Sequence, residues 1–202
     1  MDSNLKFWQR NAKLYAPIQE RGNRVLYGIV MPRCGAYIDP GTQVLELACG
    51  SGQFTLPLSG MAKSWEATDY SPNMIREAQK RNIPRAHFCT QDATALTYED
   101  GSFDLVLIAN ALHVMPEPEK ALQEIHRVLR SGGILLAPTF VYEGDYSRLR
   151  LHFMELMGFK SFYKWTTQEL ADFVAKQGYE ILEQELIPSQ PVPEGFLAAR
   201  KN

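Results

Sequence analysis

Cysteine is scarce and unpaired. Cys34, Cys49 and Cys89 are the three in the chain, widely spaced and without a CxxC. That excludes a disulfide framework, and no metal ligand set is expected from such spacing. Long apolar runs are also missing. The longest, Leu105–Met115, is interrupted by Asn110 and His113, well short of the ~20 residues that span a bilayer. No charge sign dominates: 23 acids stand against 21 bases, a net −2. Nothing here attracts nucleic acid or an anionic membrane. The opening residues, MDSNLKFWQRNAKLY, lack the apolar core of a signal peptide, so a cytoplasmic location is expected. Residues 1–35 carry six bases (Lys6, Arg10, Lys13, Arg21, Arg24, Arg33) against Asp2 and Glu20, which a solvated face explains. No repeat or low-complexity tract is present. What remains is 45% hydrophobic and 22% charged over 202 residues, the composition of a globular domain.

Residues 1–40 read as helical, broken by Pro17, Pro32 and the turn Asp39-Pro40-Gly41. From Gln43 short apolar runs alternate with amphipathic stretches, the pattern of successive β-α units around a parallel sheet. The runs are Val44–Ala48, Ser64–Thr68 ending at Asp69, Ala86–Thr90, Phe103–Ala109 and Ile134–Phe140. A helix is expected at about 53–61. Another starts with Ser71 as N-cap and Pro72 behind it. A third starts near Pro118, carries Arg127 and Arg130 in its last turn, and stops at Gly132-Gly133. Thr166 and Glu169 form a capping-box pattern for a helix ending at Gly178. Tyr179–Ile187 and Phe196–Lys201 follow, joined by the helix-free loop Pro188–Gly195, and read as an antiparallel hairpin. The fold class is α/β, with seven strands, five of them parallel.

The chemistry concentrates at the ends of the first three strands. Val44–Ala48 runs into Cys49-Gly50-Ser51-Gly52, where the glycines allow positive φ and close approach of a ligand. Asp69 ends the second strand, 19 residues beyond Gly50, the separation at which an acid binds a ribose hydroxyl pair. Either a dinucleotide or another adenosine cofactor fits this much. Three features decide. GxGxxG fails, because Thr55 stands in the third glycine position. Glu46 is read as pointing a carboxylate at the glycine turn, which repels a pyrophosphate and suits a cation. Asp92 ends the third strand, placed to accept from an adenine amino group. Three acids at successive strand ends describe a site for a positively charged adenosine ligand.

Those segments, VLELACGSGQF, ATDYSPNMIREAQKR, QDATALTYEDGSFDLVLIANALHVM and EIHRVLRSGGILLAPTF, resemble the class I S-adenosylmethionine-dependent methyltransferases. They are most similar to the small-molecule type that includes the ubiquinone/menaquinone-biosynthesis enzymes. The resemblance covers about Gln43 to Phe140. It implies a Rossmann-like sheet ordered 3-2-1-4-5-7-6, strand 7 antiparallel, with helices on both faces. It implies S-adenosyl-L-methionine as cofactor, with Glu46, Ala48, Gly50 and Gly52 beside its methionine half. Cys49, in the same loop, counts with them as a small buried filler. Asp69 would hold the ribose hydroxyls, Tyr70 and Met74 would flank the adenine, and Asp92 with the backbone of Ala93 would read the adenine edge. The Asn110 carbonyl would meet the methionine ammonium. Ala48 departs from the family pattern, in which glycine often precedes the GxG by two. Tyr15, in AKLYAP, matches a tyrosine that often lies near the cofactor.

The implied organisation is one methyltransferase domain over 1–202. Its parts are a helical lid (1–40), a cofactor-binding core (43–140), a substrate cap (141–165), and a final helix and hairpin (166–202). His113 follows the fourth strand and is the one acid-base candidate; the alternative is a loop residue facing the cofactor without proton transfer. Seven aromatics, Tyr142, Tyr146, Phe153, Phe159, Phe162, Tyr163 and Trp165, fall in the 25 positions 141–165 and are expected to roof an apolar pocket. The expected partner is a small, largely apolar methyl acceptor, with no nucleic acid or membrane, in a monomer or homodimer. Two other functions fit less well. One is a regulatory module that binds the cofactor without turnover; the other is a nicotinamide-dependent oxidoreductase, against which Thr55 and Glu46 argue.

Overall fold

Apolar runs with no alternation need cover on both faces, and the sheet gets it. In the computed structural model the described residues are 22–144, 146–147 and 160–202. The strands are β1 (Gln43–Leu47), β2 (Ser64–Asp69), β3 (Ala86–Thr90), β4 (Phe103–Ile108), β5 (Leu129–Leu136), β6 (Thr139–Phe140), β7 (Tyr179–Ile187) and β8 (Glu194–Lys201). The helices are α1 (Arg24–Gly35), α2 (Thr55–Leu58), α3 (Pro72–Gln79), α4 (Pro118–Val128) and α5 (Thr167–Ala175). The sheet order is β3-β2-β1-β4-β5-β8-β6, with β7 on the other edge of β8. β1 to β5 pair in parallel, and β8 runs antiparallel to β5, β6 and β7. This is the expected methyltransferase topology with one added two-residue strand.

The added strand has a simple cause. The run expected at Ile134–Phe140 is interrupted at Pro138, which has no N–H for the ladder. The chain resumes pairing at Thr139, still along β8, opposite Gly195. A second boundary also moves. α4 ends at Val128 and passes straight into β5, so Arg130 and the Gly132-Gly133 pair belong to the strand. Those glycines bend the strand rather than stop the helix. Gly132 has φ 72°. A Cβ on Gly133 would lie 2.9 Å from the Arg130 carbonyl oxygen and 3.2 Å from that of Asp104.

Two cores sandwich the sheet. On one face Leu45, Leu47, Val106, Ile108 and Leu135 pack against Ala121, Leu122, Ile125 and Val128 of α4 and Leu170 and Val174 of α5. On the other, Val44, Trp65, Leu105, Leu107, Leu136 and Phe196 meet Leu26, Val30 and Cys34 of α1 and Leu58 of α2. The helix starts follow the sequence signals. Ser71 Oγ accepts from Met74 N at 3.4 Å, and Thr166 and Glu169 close a reciprocal capping box. The packing fixes the parallel strands so that the loops after β1 to β4 meet along one rim. No described helix is long and apolar enough to cross a membrane.

Candidate active site

The rim encloses a cavity of about 320 Å³, within the range of small-molecule sites. Four strand ends supply its walls. Ala48 and Gly50 come from the loop after β1, and Thr68 to Ser71 with Met74 from the end of β2 and α3. Gln91 to Thr94 follow β3, and Ala109 to Ala111 with Val114 to Glu117 follow β4.

Asp69 ties the first two loops together. Its Oδ2 accepts from Gly50 N at 2.9 Å and its Oδ1 from Ser71 N at 2.7 Å. Burial holds its carboxyl up at about 6, although both backbone donors pull the other way. The turn opposite is left-handed: Ala48, Gly50 and Gly52 have φ of 53°, 56° and 84°. Ala48 therefore adopts a conformation that glycine takes without a Cβ penalty. Asp92 Oδ1 accepts from the backbone N and hydroxyl of Thr94, at 2.9 and 2.7 Å, which fixes the loop after β3.

Asn110 is also left-handed, φ 53°, a conformation asparagine tolerates. Its backbone N donates to Pro138 O at 2.8 Å. Its Nδ2 donates to Glu194 Oε2 at 3.2 Å. Asn110 Oδ1 is buried with no partner among the described residues. Buried polar atoms are nearly always bonded, so this unfilled acceptor is an exception within a residue of the cavity lining. Glu194 is fully buried, and desolvation pushes its carboxyl up to about 7.

Of the residues singled out in the sequence, Ala48, Gly50, Asp69, Tyr70, Met74, Asp92, Ala93 and Asn110 line this cavity. Four lie elsewhere. Glu46 is 2% exposed on the α1 side of the sheet. Its Oε2 accepts from Thr55 Oγ1 at 2.6 Å and Trp65 Nε1 at 2.7 Å, and burial raises it to about 7. Cys49 is buried in the α1-side core. A Cβ on Gly52 would meet Ala78 and Ile83, so Gly52 serves contact with α3. His113 is 1% exposed, edge-on to Phe140 with ring centroids 5.7 Å apart. Burial lowers its imidazole to about 3, so it is neutral throughout the physiological range. Its carbonyl accepts from the backbone N of Phe162 and Tyr163 at 2.8 and 3.2 Å. Tyr15 lies outside the described residues, as do Phe153 and Phe159 of the aromatic segment.

The described aromatics of 141–165 do not roof the cavity. Tyr163 stacks on Trp165 with centroids 4.7 Å apart, and Trp165 meets Phe173 of α5 at a 30° tilt, 4.8 Å away. They form a small core beside α5. Gln91, Thr94, Val114, Met115, Pro116 and Glu117 line the cavity without having been singled out. Their signal was position alone, next to Asp92 or between the fourth strand and its helix.

A methyltransferase-domain family profile matches residues 45–137. An uncharacterised chloroplastic methyltransferase of Arabidopsis thaliana is 36% identical over 124 residues, 55% of this chain and 35% of that protein. A demethylmenaquinone methyltransferase of Staphylococcus aureus is 31% identical over 164 residues, 72% of this chain and 67% of that one. The chain belongs to the class I S-adenosylmethionine-dependent methyltransferases. Among solved structures, the DhpI–SAH complex superposes with a TM-score of 0.76 at 22% identity, over 99% of this chain and 96% of that one, which is a likeness of fold. The chain spans only about a third of the Arabidopsis relative.

For this methyltransferase, His113→Ala is expected to act on stability. Removing a buried ring should cost about 2–4 kcal/mol, in line with other large-to-small core changes. The pH dependence of turnover should keep its shape, because no ionisation of His113 falls near neutrality. Thermal unfolding beside a pH–rate profile checks this. Loss of a titration near pH 6–7 in the variant would assign His113 the base role.

Proposed function

We propose that the chain transfers the methyl group of S-adenosylmethionine to a small, largely apolar acceptor by in-line displacement. The charge of the cavity carries this reading. Asp69, Asp92 and Glu117 contribute carboxylates to its lining, and no described lining residue is a lysine or arginine. An acidic wall favours a cationic ligand and opposes a pyrophosphate. Asn110, in the same lining, would offer its carbonyl to the methionine ammonium.

When bound, the sulfonium cofactor supplies an already activated methyl group. The chain's own part is then to bind, orient and exclude water. Asp69 accepts from the ribose hydroxyls while keeping its two backbone donors. Tyr70 and Met74 flank the adenine, and Asp92 with the Ala93 backbone reads its edge. Ala48, Gly50 and Asn110 meet the methionine half. Glu46, Cys49 and Gly52 act one step back: Glu46 braces β1 against Trp65, and Gly52 holds the turn on α3. Residues 1–202 are one domain in this reading, but of the expected 1–40 lid α1 packs into the core through Leu26, Val30 and Cys34, and the part that carries Tyr15 lies outside the described residues. Orientation of two reactants in this way accounts for ~7–11 kcal/mol of a barrier. A general base is not required by this reading, since the acceptor's nucleophilic O, N, S or C atom can lose its proton after transfer.

Calorimetry with S-adenosylhomocysteine and with NAD separates the cofactors; only the first is expected to bind. Transfer of labelled methyl is then compared across a small-molecule panel, bulk tRNA and bulk protein, with incorporation expected in the panel. Binding without transfer to any acceptor would favour a regulatory module. Transfer confined to tRNA or protein would overturn the acceptor class.

A further inference from the structure

Outside the cavity, on the β2–β3 edge of the sheet, three different metal-ligating side chains meet. Glu66 and His87 are register partners on the parallel strands, and Cys89 stands two residues along β3, so its side chain shares their face. His87 Nδ1 lies 2.8 Å and Cys89 Sγ 3.3 Å from Glu66 Oε1. The three ligand atoms are all within 4.8 Å of one another. We propose that Glu66, His87 and Cys89 form a binding site for a divalent cation of the zinc class.

Bond lengths of ~2.0–2.3 Å around a tetrahedral centre place ligand atoms about 3.3–3.6 Å apart, against 2.8 and 3.3 Å for the two Glu66 contacts and no more than 4.8 Å for any pair in the set. The donor types select the metal. An imidazole nitrogen, a thiolate sulfur and one carboxylate oxygen favour zinc over magnesium or calcium, which prefer all-oxygen shells. The frame is rigid, since all three ligands stand on paired strands. Tyr98 Oη donates to the same Glu66 oxygen at 3.0 Å and lies 3.5 Å from Cys89 Sγ. Its ring is held edge-on by Phe103, centroids 5.1 Å apart. A phenol so placed orients the carboxylate, as outer partners of metal ligands do. The neighbouring Arg85 reaches the other way, to the Gly60 carbonyl oxygen at 3.3 Å.

Without metal, Glu66 Oε1 accepts from Cys89 Sγ and Tyr98 Oη and lies 2.8 Å from His87 Nδ1. The cation replaces the His87 and Cys89 contacts while Tyr98 keeps its own: the Cys89 thiol proton passes to solvent, and His87 binds through Nδ1 with its ring proton on Nε2. Coordination deprotonates a thiol outright, even one that burial holds above its ordinary value. No CxxC announces the site, because strand register and not sequence spacing brings the ligands together.

The test uses the full chain after chelator treatment. Zinc is titrated by calorimetry, and cobalt by absorbance, where a thiolate ligand gives a near-ultraviolet charge-transfer band. One equivalent per chain is expected. His87→Ala, a largely exposed residue whose loss spares the core, should weaken binding by more than ~100-fold, beyond the loss typical of an outer-shell partner. Cys89→Ser should abolish the cobalt band while far-ultraviolet dichroism confirms folding. His126→Ala, remote from the site, should change neither. No saturable binding by the wild-type chain, or a band that persists in Cys89→Ser, overturns the assignment. Cofactor affinity is measured separately, so failure here leaves the methyltransferase reading untouched.

Discussion

Replacing Asp69 with alanine is expected to weaken S-adenosylhomocysteine binding by about 10- to 150-fold, the equivalent of the ~1.5–3 kcal/mol of hydrogen bonds to a charged group. The carboxylate does two things at once. It closes the turn after β1 onto the end of β2 through Gly50 N and Ser71 N, and it presents its remaining lone pairs to the cavity. Alanine leaves both backbone donors without their acceptor, so some thermal stability should go as well. Asp69→Asn keeps the side-chain size and one of the two acceptor oxygens but sets an amide NH2 against the other backbone donor, so affinity and melting temperature should both fall, the latter by less than in Asp69→Ala. Calorimetry on both variants, with melting temperature as the folding control, gives the answer. Unchanged affinity in a folded Asp69→Ala would remove Asp69 from the ribose site.

Thermal stability without ligand should increase as the pH falls from 8 to 6.5. Glu46 and Glu194 are both fully buried, and desolvation raises each to about 7 from an ordinary 4.5. An acid whose folded value is raised binds its proton more tightly in the folded state. Its contribution is complete below about 4.5 and is lost as the pH rises through about 7. His113 works in the opposite direction: lowered to about 3, it favours the folded state above 6.5 and withdraws that support as the pH falls toward 3. Between 8 and 6.5 the two acids dominate, by roughly 1–2 kcal/mol together. For a chain of this size that is a rise of about 2–6 °C in melting temperature. Glu46→Gln should flatten the slope by about half. A melting temperature that climbs from pH 6.5 to 8 in the wild type would refute the assignment of these acids.

Sequence is legible in this chain where the determining contacts are local. The turn after β1, the acid ending β2 and the cap at Ser71 are local: each is set by neighbours a few positions away, and each stands where it was read. Glu46, expected to point its carboxylate at the glycine turn, turns it instead to Thr55 and Trp65, for a physical reason. β1 is a central strand flanked by apolar residues on both faces, so no polar alternation tells which face position 46 takes. The Gly132-Gly133 pair failed similarly. A glycine pair that ends a helix and one that lets two backbones come within contact look the same in one dimension. Glu194 fell within a stretch read as a loop, and its bond to Asn110 joins residues 84 positions apart, which local pattern cannot reveal. The metal-ligating trio was hidden by strand register in the same way.

The placement of β8 also bears on how the chain reaches this state. Among the described residues the outer edge of β5 at Ile134–Leu136 is paired only by residues 198–200, so a chain emerging from its N-terminal end completes β1 to β5 well before that partner exists. Until then Leu135 and Leu136 lie on an open strand edge, the kind of edge that recruits strands from other chains. Pairing so far along the sequence is also slow to find. The wall of the cavity inherits this order of events. Asn110 gains its contact with Glu194 only when β8 docks, so this part of the cavity wall is completed after β1 to β5, and a chain still short of β8 keeps the open edge that favours aggregation.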